Sequence, residues 1–183
     1  MCRPVRRFPP AVAGNRTGVT VREPAGRAPA PPVLGPAVLL GVGLGGFVDG
    51  ILLHQILRWH HMVSSVRGAD LTANLVADGL FHAATWLAVV AGLFWLWGRW
   101  RRVAAAPPWT MLAGGLLLGF GAFNLVEGVV DHHLLAVHHV RYGPGQAAYD
   151  VGFLLSGVVL VLAGVLLYRA GRRAATTRPA GDR

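Results

Sequence analysis

One acid and three histidines recur at one spacing. Asp49, His54, His60 and His61 are matched by Glu127, His132, His138 and His139, each 78 residues further along. Residues 39–62 read LLGVGLGGFVDGILLHQILRWHHM and residues 117–140 read LLGFGAFNLVEGVVDHHLLAVHHV. Ten of these 24 aligned positions are identical, with no gap. Imidazole and carboxylate donors suit Zn, Fe, Mn and Cu(II). Cu(I) is less favoured, because Met62 is the only sulfur near the set. Haem is the other cofactor that histidines on facing helices hold, and His54 and His132 would be its natural axial pair. The Glu-x-x-His pairs of ferritin-like di-iron bundles are absent.

The sequence that must position these donors is apolar. The chain has 183 residues, 54% hydrophobic and 14% charged, against about a quarter charged in ordinary soluble domains. Four apolar stretches cover about residues 36–57, 75–97, 109–130 and 148–168. Each is long enough to cross ~30 Å of hydrocarbon at about 1.5 Å per residue. A soluble bundle would need polar outer faces, and these stretches are apolar all round except at their ends. The predicted fold class is all-α: an integral membrane four-helix bundle over residues 33–168. Residues 1–32, rich in Pro and Arg, read as a disordered cytoplasmic tail. Residues 169–183 read as a polar cytoplasmic tail.

The formal charge is +9, and all 17 basic residues are arginine. Fourteen of them precede the first span, follow the second or follow the fourth. Only Arg58, Arg67 and Arg141 fall on the other side. The positive-inside rule then places the N- and C-termini and the middle loop in the cytoplasm. Basicity here reports orientation, with the lipid bilayer as partner and no nucleic acid. The single cysteine, Cys2, excludes an internal disulfide. No nucleophile motif, phosphate loop or nucleotide fingerprint is present.

The repeat continues beyond the histidines. Asp78-Gly79-Leu80-Phe81 opens the second span much as Asp150-Val151-Gly152-Phe153 opens the fourth. The unit is therefore a two-helix hairpin, used twice in tandem. Both copies run in the same direction, which implies a pseudo-two-fold axis along the membrane normal. By helical rise, Asp49 lies about 12 Å below the outer boundary and His54 about 4–5 Å below it. On a continuous α-helix Asp49 and His60 fall within about 20° of one another. His54 and His61 share a second face, and the other copy repeats both pairings.

The candidate metal ligands are Asp49, His54, His60, His61, Asp78, His82, Glu127, Asp131, His132, His138, His139 and Asp150. Each also has a bland reading. A membrane histidine is more often an interhelical hydrogen-bonding group than a ligand. A His-His pair at a membrane surface is often only solvated. Asp49 and Glu127 also fit proton-relay or helix-packing roles. Duplication of the whole set is what favours ligation.

The run Gly46-Phe47-Val48-Asp49-Gly50-Ile51-Leu52-Leu53-His54-Gln55-Ile56-Leu57-Arg58-Trp59-His60-His61-Met62 resembles a bacterial family of predicted four-span membrane proteins, catalogued as domain of unknown function 2243. So do Asp78-Gly79-Leu80-Phe81-His82, the run from Phe123 to His133, and His138-His139-Val140-Arg141. The resemblance covers about residues 36–168. It implies a multi-pass protein of the bacterial plasma membrane and brings no established activity. Members are often described beside assembly proteins of caa3-type respiratory oxidases, which implies such an oxidase or its assembly factors as partners. The leading expectation is a metal or haem site at the outer leaflet, serving metal delivery or oxidase assembly. The alternatives are a membrane-embedded metal-dependent hydrolase, with Asp49 or Glu127 as base, and a non-catalytic structural subunit. A proton conductor is disfavoured, because the inner half offers no polar path.

Overall fold

The computed structural model describes residues 33–101 and 107–177. The N-terminal tail, Arg102 and residues 178–183 of the C-terminal tail lie outside the described residues. Four helices follow in order: α1 (Leu34–Val48), α2 (Leu71–Trp100), α3 (Trp109–Val129) and α4 (Gln146–Thr177). Among the described residues there is no strand. α1 runs on into a π-helical segment, Asp49–Ile56, and α3 into a shorter one, Val130–Leu134. With these extensions, all four helices are long and apolar enough to cross a membrane. Two of them outrun the apolar stretches. α2 starts at Leu71, where the Asp70 side chain accepts the Ala73 N–H. α4 continues past Tyr168 to Thr177.

The helices pack in the spatial order α2, α1, α3, α4. α1 and α3 form the central pair, and α2 and α4 flank them. The flanking helices expose large apolar side chains such as Leu80, Phe94, Trp97, Leu162 and Leu166, which in a bilayer would face lipid. The central helices touch through glycine. A Cβ on Gly41 would collide with the Leu116 carbonyl, and one on Gly119 with the Val38 carbonyl. Both obstacles are backbone and cannot step aside, so the helices can approach this closely only without side chains there. Gly119→Val is expected to separate α1 from α3 and destabilise the protein by about 3 kcal/mol. Thermal unfolding in detergent checks this.

The acids and histidines of the two central helices therefore meet at one end of the bundle, away from the described termini. The chain must reverse there, and it does so in the same way twice. Arg58 and Ala136, 78 residues apart, both adopt left-handed backbone, with φ of 51° and 47°. Each follows a helix end closed by a long-reach hydrogen bond, Trp59 N–H to the Leu53 carbonyl and Val137 N–H to the Asp131 carbonyl. Glycine is the usual residue at such a position. Its absence left these turns without a sequence signal.

Candidate metal centre

The π segments decide which side chains meet. In an α-helix, residues five apart point about 140° away from each other. A π turn bonds i to i+5 and brings such residues towards one face. Asp49 and His54 are five apart, as are Glu127 and His132. His54 Nε2 lies 3.1 Å from Asp49 Oδ2. The turn that follows folds His60 back onto the pair, with its ring centroid 4.5 Å from that of His54. Asp49, His54 and His60 thus form one triad, with a donor atom from each within 4.8 Å of the others. Glu127, His132 and His138 form a second by the same criterion.

This corrects part of the geometry expected of an uninterrupted α-helix. Asp49 and His60 do meet, but through a π turn and a chain reversal. His54 joins them and does not pair with His61. The reason is the wider turn, which rotates His54 towards the acid. His61 points instead at α2.

All six triad residues are buried, at 0–3% exposure. Both oxygens of Asp49 and of Glu127, both ring nitrogens of His54 and of His132, and Nε2 of His60 and His138 make no hydrogen bond of good geometry among the described residues. A buried polar atom without a partner costs about 1–3 kcal/mol, and more if charged. So many in one place call for a cation or protons.

The opposite edge of the imidazoles is held. His60 Nδ1 donates to the Val140 carbonyl at 2.9 Å, and His138 Nδ1 donates to the Met62 carbonyl at 3.0 Å. Each histidine is thus fixed by backbone from the other hairpin. A carbonyl can only accept, so both rings carry their proton on Nδ1 and present a bare Nε2 to the centre. Burial pushes the His60 imidazole down to about 3, against the opposing pull of Asp49. Burial likewise holds His138 below its ordinary value. Both are neutral near pH 7, the form that binds metal.

Asp78 and Asp150 stand behind the triads. Asp78 accepts from His61 Nδ1 at 2.6 Å and from the Met62 N–H at 2.8 Å, and its Oδ1 lies 3.0 Å from His54 Nδ1. Asp150 accepts from His139 Nδ1 at 2.8 Å and from the Val140 N–H at 2.9 Å. It lies 3.8 Å from His132 Nδ1, a looser version of the same contact. Carboxylates in this position orient metal-bound histidines and raise their basicity.

Six of the twelve expected ligands thus converge in the triads. Asp78, His61, Asp150 and His139 form a supporting layer. His82 and Asp131 lie outside both groups, and His82 Nδ1 bonds the Asp78 carbonyl within α2. The backbone carbonyls of Met62 and Val140 were not foreseen, since no side-chain signal marks them. Above the centre the loops are tied together. Ser65 N–H donates to the Val137 carbonyl, and the Ser65 and Tyr142 hydroxyls are 2.7 Å apart.

The His60 shift gives a pH prediction for metal-free protein. Unfolded His60 takes up a proton near pH 6.5, whereas folded His60 does so only near 3. The unfolded state binds more protons between these values, so stability falls as pH drops from 6.5 towards 3. His60→Gln is expected to flatten that slope, read from thermal unfolding at successive pH values.

The family model described as "Predicted membrane protein (DUF2243)" matches residues 36–171. The chain belongs to that family. No curated protein and no solved structure matches it. The match reaches into all four helices and takes in every residue of both triads.

Proposed function

We propose that this member of the DUF2243 family is a metal-binding protein whose site lies at the outer leaflet of a bacterial plasma membrane. Two tandem hairpins, with the termini cytoplasmic, each contribute one carboxylate and two histidines. The observation that carries this reading is the pair of buried triads, Asp49–His54–His60 and Glu127–His132–His138. Two imidazoles and a carboxylate form a donor set for Zn, Fe, Mn or Cu(II). The bare Nε2 atoms and the supporting Asp78 and Asp150 fit ligands oriented for an ion.

The packing favours an ion over haem. His60 sits among His54, His138 and His132, with ring centroids 4.5, 4.6 and 6.3 Å away. A macrocycle between His54 and His132 would have to displace these rings. The deep burial of the ligands also favours holding an ion over turning over a substrate. Metal delivery or the assembly of a respiratory oxidase is the role that fits such a holder.

Elemental analysis and the visible spectrum of the purified full-length protein test the proposal. Bound transition metal without a haem Soret band is the expected result. Protein that takes up none of Zn, Fe, Mn or Cu(II) would contradict it, and a haem spectrum would move the site to the other cofactor.

A further inference from the structure

The two triads are not separate. Asp49 Oδ2 lies 3.1 Å from His54 Nε2 and Glu127 Oε1 lies 3.5 Å from His138 Nε2, and these two imidazoles are themselves neighbours, with ring centroids 6.1 Å apart. The rings of His60 and His138 stack face to face, 4.6 Å apart and 6° from parallel. His138 lies 4.9 Å from His132 and 6.1 Å from His54, so it borders both groups. We propose that the chain holds one dinuclear centre, in which two divalent cations share the Asp49 and Glu127 carboxylates and each takes two histidines, His54 and His60 or His132 and His138. This inference rests on the metal-binding reading above and goes beyond it in number and in sharing.

Three observations support a shared pair. The first is the unpartnered atoms: the four carboxylate oxygens of Asp49 and Glu127 and six imidazole nitrogens of His54, His60, His132 and His138 make no hydrogen bond among the described residues. The second is capacity. A carboxylate with two free oxygens can bridge two ions, and two bridges with four imidazoles give each cation a balanced set. The third is charge. Asp49, Asp78, Glu127 and Asp150 are each 4% exposed or less. Every ion pair that they make among the described residues is with a histidine. No arginine is among these partners, so the charge that balances the buried carboxylates must come from a proton, an imidazolium or a bound cation.

The cross-bracing has a role in such a centre. His60 is held by Val140 and His138 by Met62, so each half is completed by the other hairpin. Neither hairpin alone orients its own second histidine.

Full-length protein in detergent, stripped and reloaded with Zn(II), is expected to hold two ions per chain by elemental analysis. Loaded with Mn(II), it is expected to give the resonance spectrum of an exchange-coupled pair. Asp49→Asn is expected to weaken both ions by at least roughly tenfold. One ion per chain at saturation, or an isolated-ion Mn(II) spectrum at full loading, would overturn the shared centre and leave the metal-binding reading standing. So would an Asp49→Asn protein that keeps one ion at unchanged affinity. No bound ion at all would overturn both. The Mn(II) spectrum uses the unaltered chain, so the result does not depend on the variant folding.

Discussion

Replacing both His54 and His132 by alanine is expected to abolish metal retention while leaving the helices formed. Each residue is fully or almost fully buried and faces a carboxylate of its own hairpin. Removing both takes one imidazole from each triad and leaves one histidine and one acid in each. Loss of a mere supporting residue costs about 10–100-fold in metal affinity. Loss of two ligands is expected to exceed that range. Equilibrium dialysis against Zn(II) reads the effect, and circular dichroism reports whether helix content is kept. An unchanged affinity would show that the ion sits elsewhere. The variant also tests the bland alternative, in which these histidines only join helices. In that case stability would fall and metal content would not change.

The second large effect is expected at Asp78. Its carboxylate holds the His61 ring and the Met62 N–H and lies against His54 Nδ1. Asparagine keeps the size but offers one acceptor oxygen, and its amide would turn donors towards donors. Asp78→Asn is expected to lower metal affinity by about 10–100-fold and to cost about 1–3 kcal/mol in stability through the unpaired donors. The same change at Asp150 is expected to act in the same direction but more weakly. Its contact with His132 is 3.8 Å, against 3.0 Å for Asp78 with His54. Equal effects at both positions would mean that Asp78 does not act through His54.

The four helices were legible in the sequence, because length and hydropathy are one-dimensional signals, and the 78-residue offset marked the acids and histidines that the fold gathers into two clusters. The end of the bundle at which the donors gather was legible for the same reason. The pairing of donors was not. It depends on two π turns, and nothing in DGILLHQI marks the switch from i→i+4 to i→i+5 bonding before the chain is folded. A continuous α-helix assigns His54 to the wrong face, and that error propagates to His61. The contacts of Asp78 and Asp150 were also hidden. From spacing alone they look like ligands, whereas in the fold they accept hydrogen bonds from His61, His139 and two backbone N–H groups. The exchange of His60 and His138 between hairpins rests on the Val140 and Met62 carbonyls, which every residue type carries alike. Arg58 and Ala136 show the same limit, since left-handed backbone without glycine has no residue signature.

Whether imidazole and carboxylate from both triads bind metal is read by the X-ray absorption spectrum of the Zn(II)-loaded full-length protein. A first shell of nitrogen and oxygen at about 2.0–2.1 Å is expected, with the outer-shell scattering of coordinated imidazole. That scattering should be lost on replacing His54 and His132. A shell of oxygen alone, a sulfur shell, or imidazole scattering unchanged in that variant would contradict metal binding by the triads.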